Sequence, residues 1–132
     1  MSYKKLLVIA LWLVTLHSLF IGIAMILFPT DWIAYFDIKP SDHRFFIAQG
    51  GVFHIVMSVA YGMAAYNVNG NSALIKFSIT AKFFATIFLL SYFIFINQFA
   101  IIFLSAIADF GMGLVLLVLY RKYTITNETK SS

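Results

Sequence analysis

The chain of 132 residues contains no cysteine. That absence removes disulfides, thiolate metal sites, cysteine-ligated iron–sulfur clusters and thiol catalysis from consideration. Charge is scarce as well: Asp, Glu, Lys and Arg make up 11% of the residues, against roughly a quarter in a soluble domain. Hydrophobic residues account for 62%, and a soluble fold of this length has too little interior to hide them. Lipid is therefore the expected solvent for most of the surface. No nucleophile with a neighbouring base and no metal triad appears, so catalysis has no signature here. The length allows one domain, 1–132, with neither a solenoid repeat nor a low-complexity segment.

What is present is a set of four apolar runs, expected as spanning helices over about 6–28, 45–66, 73–96 and 99–120. The first is too long for the apolar region of a signal peptide, and no small-residue cleavage site follows it. Pro29 ends it. Trp32, Ile33, Tyr35 and Phe36 then suit an interfacial segment lying flat on the membrane. Ser41 is a candidate N-cap for the second helix, with Asp42 favourable at its positive end. The stretch 67–72 has turn composition. The third helix begins at Ala73 or, if Lys76 marks the interface, at Phe77; Asn97 and Gln98 make so short a turn that helices three and four must be antiparallel neighbours. Residues 124–132 read as a mobile polar tail. The fold expected is an all-α integral membrane four-helix bundle.

The formal charge of +4 is not a nucleic-acid footprint, because the basic residues cluster at helix ends. Lys4, Lys5, Lys76, Arg121, Lys122 and Lys130 fall on the side that holds both termini, and Lys39 and Arg44 fall opposite. The positive-inside rule then puts both termini in the cytoplasm.

Ionisable residues inside the spans are the unusual feature. His17, His54 and Asp109 each fall near the middle of a helix, with Lys82 closer to the terminal side. Such groups face a bundle interior or a cavity, so one per helix at comparable depth predicts a shared polar centre. On helix two, Gly50, His54, Ser58, Tyr61 and Ala65 recur at helical spacing and add to that face, and Gln49 lies beside it near the outer end. Ser78 and Thr86 flank Lys82; Ser105, Met112 and Gly113 flank Asp109, and small residues such as Ser105 and Gly113 let membrane helices approach closely. Counting back across the short turn places Lys82 and Asp109 at depths differing by roughly 6 Å, within reach of a lysine stem. The alternatives are plain ones: Lys82 snorkelling to the headgroups, and His17 and His54 serving as interhelical hydrogen-bond glue. Asp37, Asp42 and His43 have spacing too irregular for a metal site.

The run Phe45-Phe46-Ile47-Ala48-Gln49-Gly50-Gly51-Val52-Phe53-His54, preceded by a helix ending in Phe28-Pro29 and followed by two helices with a polar pair, resembles the DoxX-like membrane proteins. The resemblance implies a compact four-helix bundle in a bacterial cytoplasmic membrane, in a family some of whose members are linked to quinone-coupled oxidation of sulfur compounds. It carries no catalytic residue over to this chain. Three functions follow as expectations. The first is a module that binds or moves a small apolar, quinone- or lipid-like molecule at a centre formed by Asp109, Lys82, His54, His17, Tyr61, Ser58 and Gln49. The second is an accessory or structural subunit, with a membrane-protein partner or a second copy of itself. The third is a redox subunit in which His17 and His54 ligate a b-type haem. Two histidines without a Cys–His attachment motif predict no haem, and no other cofactor is expected.

Overall fold

A computed structural model describes residues 2–28 and 44–131 of the chain. The interfacial segment, the Ser41 cap and the Asp37, Asp42 and His43 group lie outside the described residues. Among the described residues all regular structure is helical: α1 spans Tyr3–Leu27, α2 Arg44–Tyr66, α3 Ser72–Phe95 and α4 Ala100–Ser131. Each is long and apolar enough to cross a membrane. The molecule is a multi-pass membrane bundle.

Local chemistry sets the boundaries. Phe28 leaves α1 in an extended conformation, φ −68° and ψ 135°, as the residue before a proline prefers. Between α2 and α3 the Asn67 side chain accepts from the Gly70 backbone N–H at 3.0 Å, and the Asn71 amide donates to the Met63 carbonyl at 2.8 Å. These bonds close the turn so that α3 begins at Ser72, within one residue of the expected start at Ala73. Lys76 therefore lies inside the first turns of α3. At the other end of the chain the expected mobile tail is helix: α4 is 32 residues long. The Thr124 and Thr126 hydroxyls bond carbonyls within the preceding turn, to Arg121 at 2.9 Å and Lys122 at 2.8 Å. No proline or glycine interrupts the stretch 114–131.

The helices form a ring, with α1 packed on α2 and α4, and α3 packed on α2 and α4. Neighbours run antiparallel. Gly22 meets Gly51 and Thr15 meets Gly62 across α1 and α2, while Phe83 meets Phe110 and Phe93 meets Phe103 across α3 and α4. The α1–α2 crossing is the tightest approach. A Cβ on either Gly22 or Gly51 would fall 2.7 Å from the other's carbonyl oxygen, so only glycine fits on both sides. Lipid gives no hydrophobic push between helices, and such close backbone packing supplies the attraction instead. At the end holding both chain termini, the Tyr123 hydroxyl donates to the Asn69 side chain at 2.8 Å, and the Lys122 ammonium lies 5.8 Å from the Tyr3 ring centroid.

Burial follows four stripes spaced by seven residues. From the terminal end they read Leu7, Val14, Ile21, Phe28 on the line of α1; Val68, Tyr61, His54, Ile47 on the line of α2; Ile75, Lys82, Leu89, Ile96 on the line of α3; and Tyr123, Leu116, Asp109, Ile102 on α4. In every stripe the first two positions are buried, the third is half-buried and the fourth is half-buried or exposed. The main hydrophobic cluster accordingly lies in the terminal half, around Leu7, Leu11, Ala64, Ile75 and Leu116, while Ala106 is buried beyond the ion pair.

Candidate functional site

Lys82 lies ten residues after the start of α3 and Asp109 nine after the start of α4. At 1.5 Å per residue each is about 14–15 Å from an opposite end of its helix, which puts the two at mid-depth. They meet directly: the Lys82 ammonium donates to Asp109 Oδ1 at 2.6 Å, with the side chains 4% and 13% exposed. Lys82 does not snorkel. It points into the bundle because Gly113 on α4 clears the space beside it; a Cβ there would sit 3.2 Å from the Lys82 Cβ. The ammonium also lies 5.5 Å from the Tyr61 ring centroid, where the negative face of the ring attracts it. A lysine and an aspartate in lipid each need a counter-charge, and each supplies the other's.

The remaining predicted residues divide into three groups. Tyr61, buried at 3%, belongs to the centre through Lys82. His54 stands one heptad further along α2, half-buried, with its Nδ1 3.4 Å from the Ser18 hydroxyl of α1. His17 is exposed on α1. It shares a heptad stripe with Tyr3, which packs against Lys122, so it lies on the edge of α1 turned toward α4. Both histidines lie within electrostatic reach of Lys82 and Asp109. Ser58 is buried, but its hydroxyl bonds the Ile55 carbonyl of its own helix at 2.7 Å and does not point a free donor at the centre. Gln49 is exposed and stands apart.

Ser18 was not among the residues expected from sequence, although a signal for it exists. Thr15, Ser18 and Gly22 recur at helical spacing on α1, a stripe of small residues that marks a close helix contact. All three are buried. On α2 the buried glycine is Gly51, with Gly50 half-buried beside the Met25 side chain.

The centre has a matched ion pair at its base and polar groups with spare capacity above it. One lysine donor is used by Asp109, and the carboxylate keeps its second oxygen. The Ser18 contact at Nδ1 leaves Nε2 as the ring nitrogen of His54 open to a ligand. Serine and threonine hydroxyls elsewhere are satisfied within their own helices, Thr15 by Leu11, Ser78 by Leu74 and Thr86 by Lys82. Among the described residues no cluster of three or more metal-ligating side chains occurs. The chemistry available is recognition of a polar head by a charged pair, a phenol and an imidazole.

No protein-family model, curated protein or solved structure matches the chain.

Proposed function

We propose that the chain is an intramembrane binding module. A small apolar molecule with a polar head, quinone- or lipid-like, enters the bundle from the end opposite the chain termini and places its head at Lys82 and Asp109. Tyr61 and His54 orient it. The carrying observation is that the ion pair sits where the interior changes from buried to half-buried in all four stripes. An ion pair with no use is an expensive way to hold a bundle together, since inserting Lys and Asp costs about 2.5–3.5 kcal/mol each on translocon scales. Close packing of the Gly22–Gly51 kind already holds α1 to α2 without charge.

A second reading has its own support. The pair is fully matched, and among the described residues no buried side-chain nitrogen or oxygen lacks a partner. A centre so self-sufficient also suits an accessory subunit whose activity resides in another protein. We place the chain in a bacterial cytoplasmic membrane with both termini cytoplasmic, as a DoxX-like bundle. The Lys and Arg distribution and the arrangement of the four spans support this.

Extraction of the mildly solubilised protein, with mass spectrometry and absorption spectroscopy of what accompanies it, separates these readings. The binding module brings down one lipophilic species in near-stoichiometric amount. The accessory subunit brings down a protein and no such species. A Soret band lost in both His17→Ala and His54→Ala would move the assignment to the haem alternative. For orientation, single cysteines at Ser2 and Ser131 should resist an impermeant thiol reagent in intact cells while one at Ser41 reacts; the opposite pattern reverses the topology.

A further inference from the structure

A second site lies far from the ion pair, where α4 leaves the membrane beside the start of α1. A groove of ≈ 370 Å³ opens there, lined by Tyr3, Val118, Arg121, Lys122, Ile125 and Thr126. We propose that this groove binds one anionic phospholipid, with the phosphate held by Arg121 and Lys122, an acyl chain running into the membrane along Val118, and Ile125 beside the headgroup.

Its depth matches such a ligand. Val118 is about 27 Å and Ile125 about 38 Å along α4 from Ala100, by helical rise. A hydrocarbon core of about 30 Å therefore ends between them. Val118 and Ile125 are one heptad apart and share a face, 45% and 63% exposed. Arg121 and Lys122, both exposed, flank that line on either side. Among the described residues the lining carries two cations and no acidic side chain, a charge balance that selects an anionic headgroup over a zwitterionic one. Arginine can hold two phosphate oxygens at once. Lys122 is already drawn toward α1 by the Tyr3 ring, so the groove is bounded on both sides before a lipid arrives. The hydrogen of the Thr126 hydroxyl is used on the Lys122 carbonyl, which leaves Thr126 as a wall and not a phosphate donor. This site stands independently of the function proposed for the centre.

The test titrates the delipidated full chain with phosphatidylglycerol, phosphatidylcholine or inorganic phosphate and reads lipid retention by native mass spectrometry. One phosphatidylglycerol should be retained in preference to phosphatidylcholine. Arg121→Gln/Lys122→Gln should weaken it by about thirtyfold, from two interfacial charges, while Lys5→Gln/Lys76→Gln, which removes equal charge outside the groove, changes it by no more than a few-fold. Equal retention of the two lipids, or equal loss in the control variant, would overturn the proposal. Displacement of the lipid by inorganic phosphate at matched concentration would reduce the site to a free-anion site and also overturn it. Should the groove variant not fold, the wild-type protein still decides. Phosphatidylglycerol should slow amine acylation of Lys122 and leave Lys76 unaffected, and equal protection of both contradicts the proposal.

Discussion

The two halves of the bundle are built from similar residues and packed differently. In the terminal half, Leu7, Leu11, Ile75 and Leu116 are fully buried, and a tyrosine–asparagine bond ties α4 to the α2–α3 turn. Beyond Lys82 and Asp109 the same stripes carry half-buried His54, Leu89 and Ile21, and the tightest contact is the Gly22–Gly51 crossing, with Phe93 against Phe103 across α3 and α4. The first half is the more fully buried and the second the less, with the ion pair at the boundary. In a membrane, the less fully buried half is the one that the proposed ligand would enter.

The largest effect that sharpens this contrast is removal of one partner from the pair. Lys82→Met or Asp109→Asn alone leaves the opposite group stranded in low dielectric and should lower stability by about 3–5 kcal/mol. Thermal unfolding in a single detergent reads it, and a loss under 1 kcal/mol would mean that the groups reach water. Next come truncations that compare the halves directly. Leu11→Ala in the more fully buried half should cost about 2–5 kcal/mol by leaving a cavity, whereas Leu89→Ala, on the stripe of Lys82 but beyond it, should cost about 1 kcal/mol or less. Equal losses would show that both halves are packed alike. Smaller again is the glycine pair. Gly51→Ala drives a methyl into the Gly22 carbonyl, which cannot give way, and should cost about 1–3 kcal/mol. Gly111→Ala meets nothing within 4 Å and should be neutral or gain about 0.5–1 kcal/mol from helix propensity.

Much of the architecture was legible from hydropathy and turn composition, because a span must be apolar over its whole length whatever it packs against. The Lys82–Asp109 contact was legible too: two residues of turn fix the register of α3 against α4, and a charge in lipid must find its opposite. What hydropathy cannot carry is which apolar residues face inward. Leu11 is fully buried and Leu13 is 63% exposed, yet lipid and protein interior make the same demand of both. Hence the contrast between the two halves had no signature. The start of α3 was legible to within one residue of Ala73, whereas the helical continuation past Tyr120 escaped because a polar stretch reads alike as a solvated helix or an irregular tail. The Gly22–Gly51 contact was half visible, as small residues at helical spacing, but which of Gly50 and Gly51 faces α1 depends on a rotation that spacing leaves free.

The central claim is that the pair is kept for a ligand and is not needed to hold the bundle. The double variant Lys82→Met/Asp109→Asn tests it most directly when thermal stability and copurified small molecules are measured on one preparation. The account predicts that the double variant is more stable than either single variant, since no buried charge is left unpaired, and that the lipophilic species found with the wild-type protein is gone. Losses that simply add across the two substitutions would show that the residues are uncoupled. A stable double variant that still carries the molecule would show that the ion pair does not bind it.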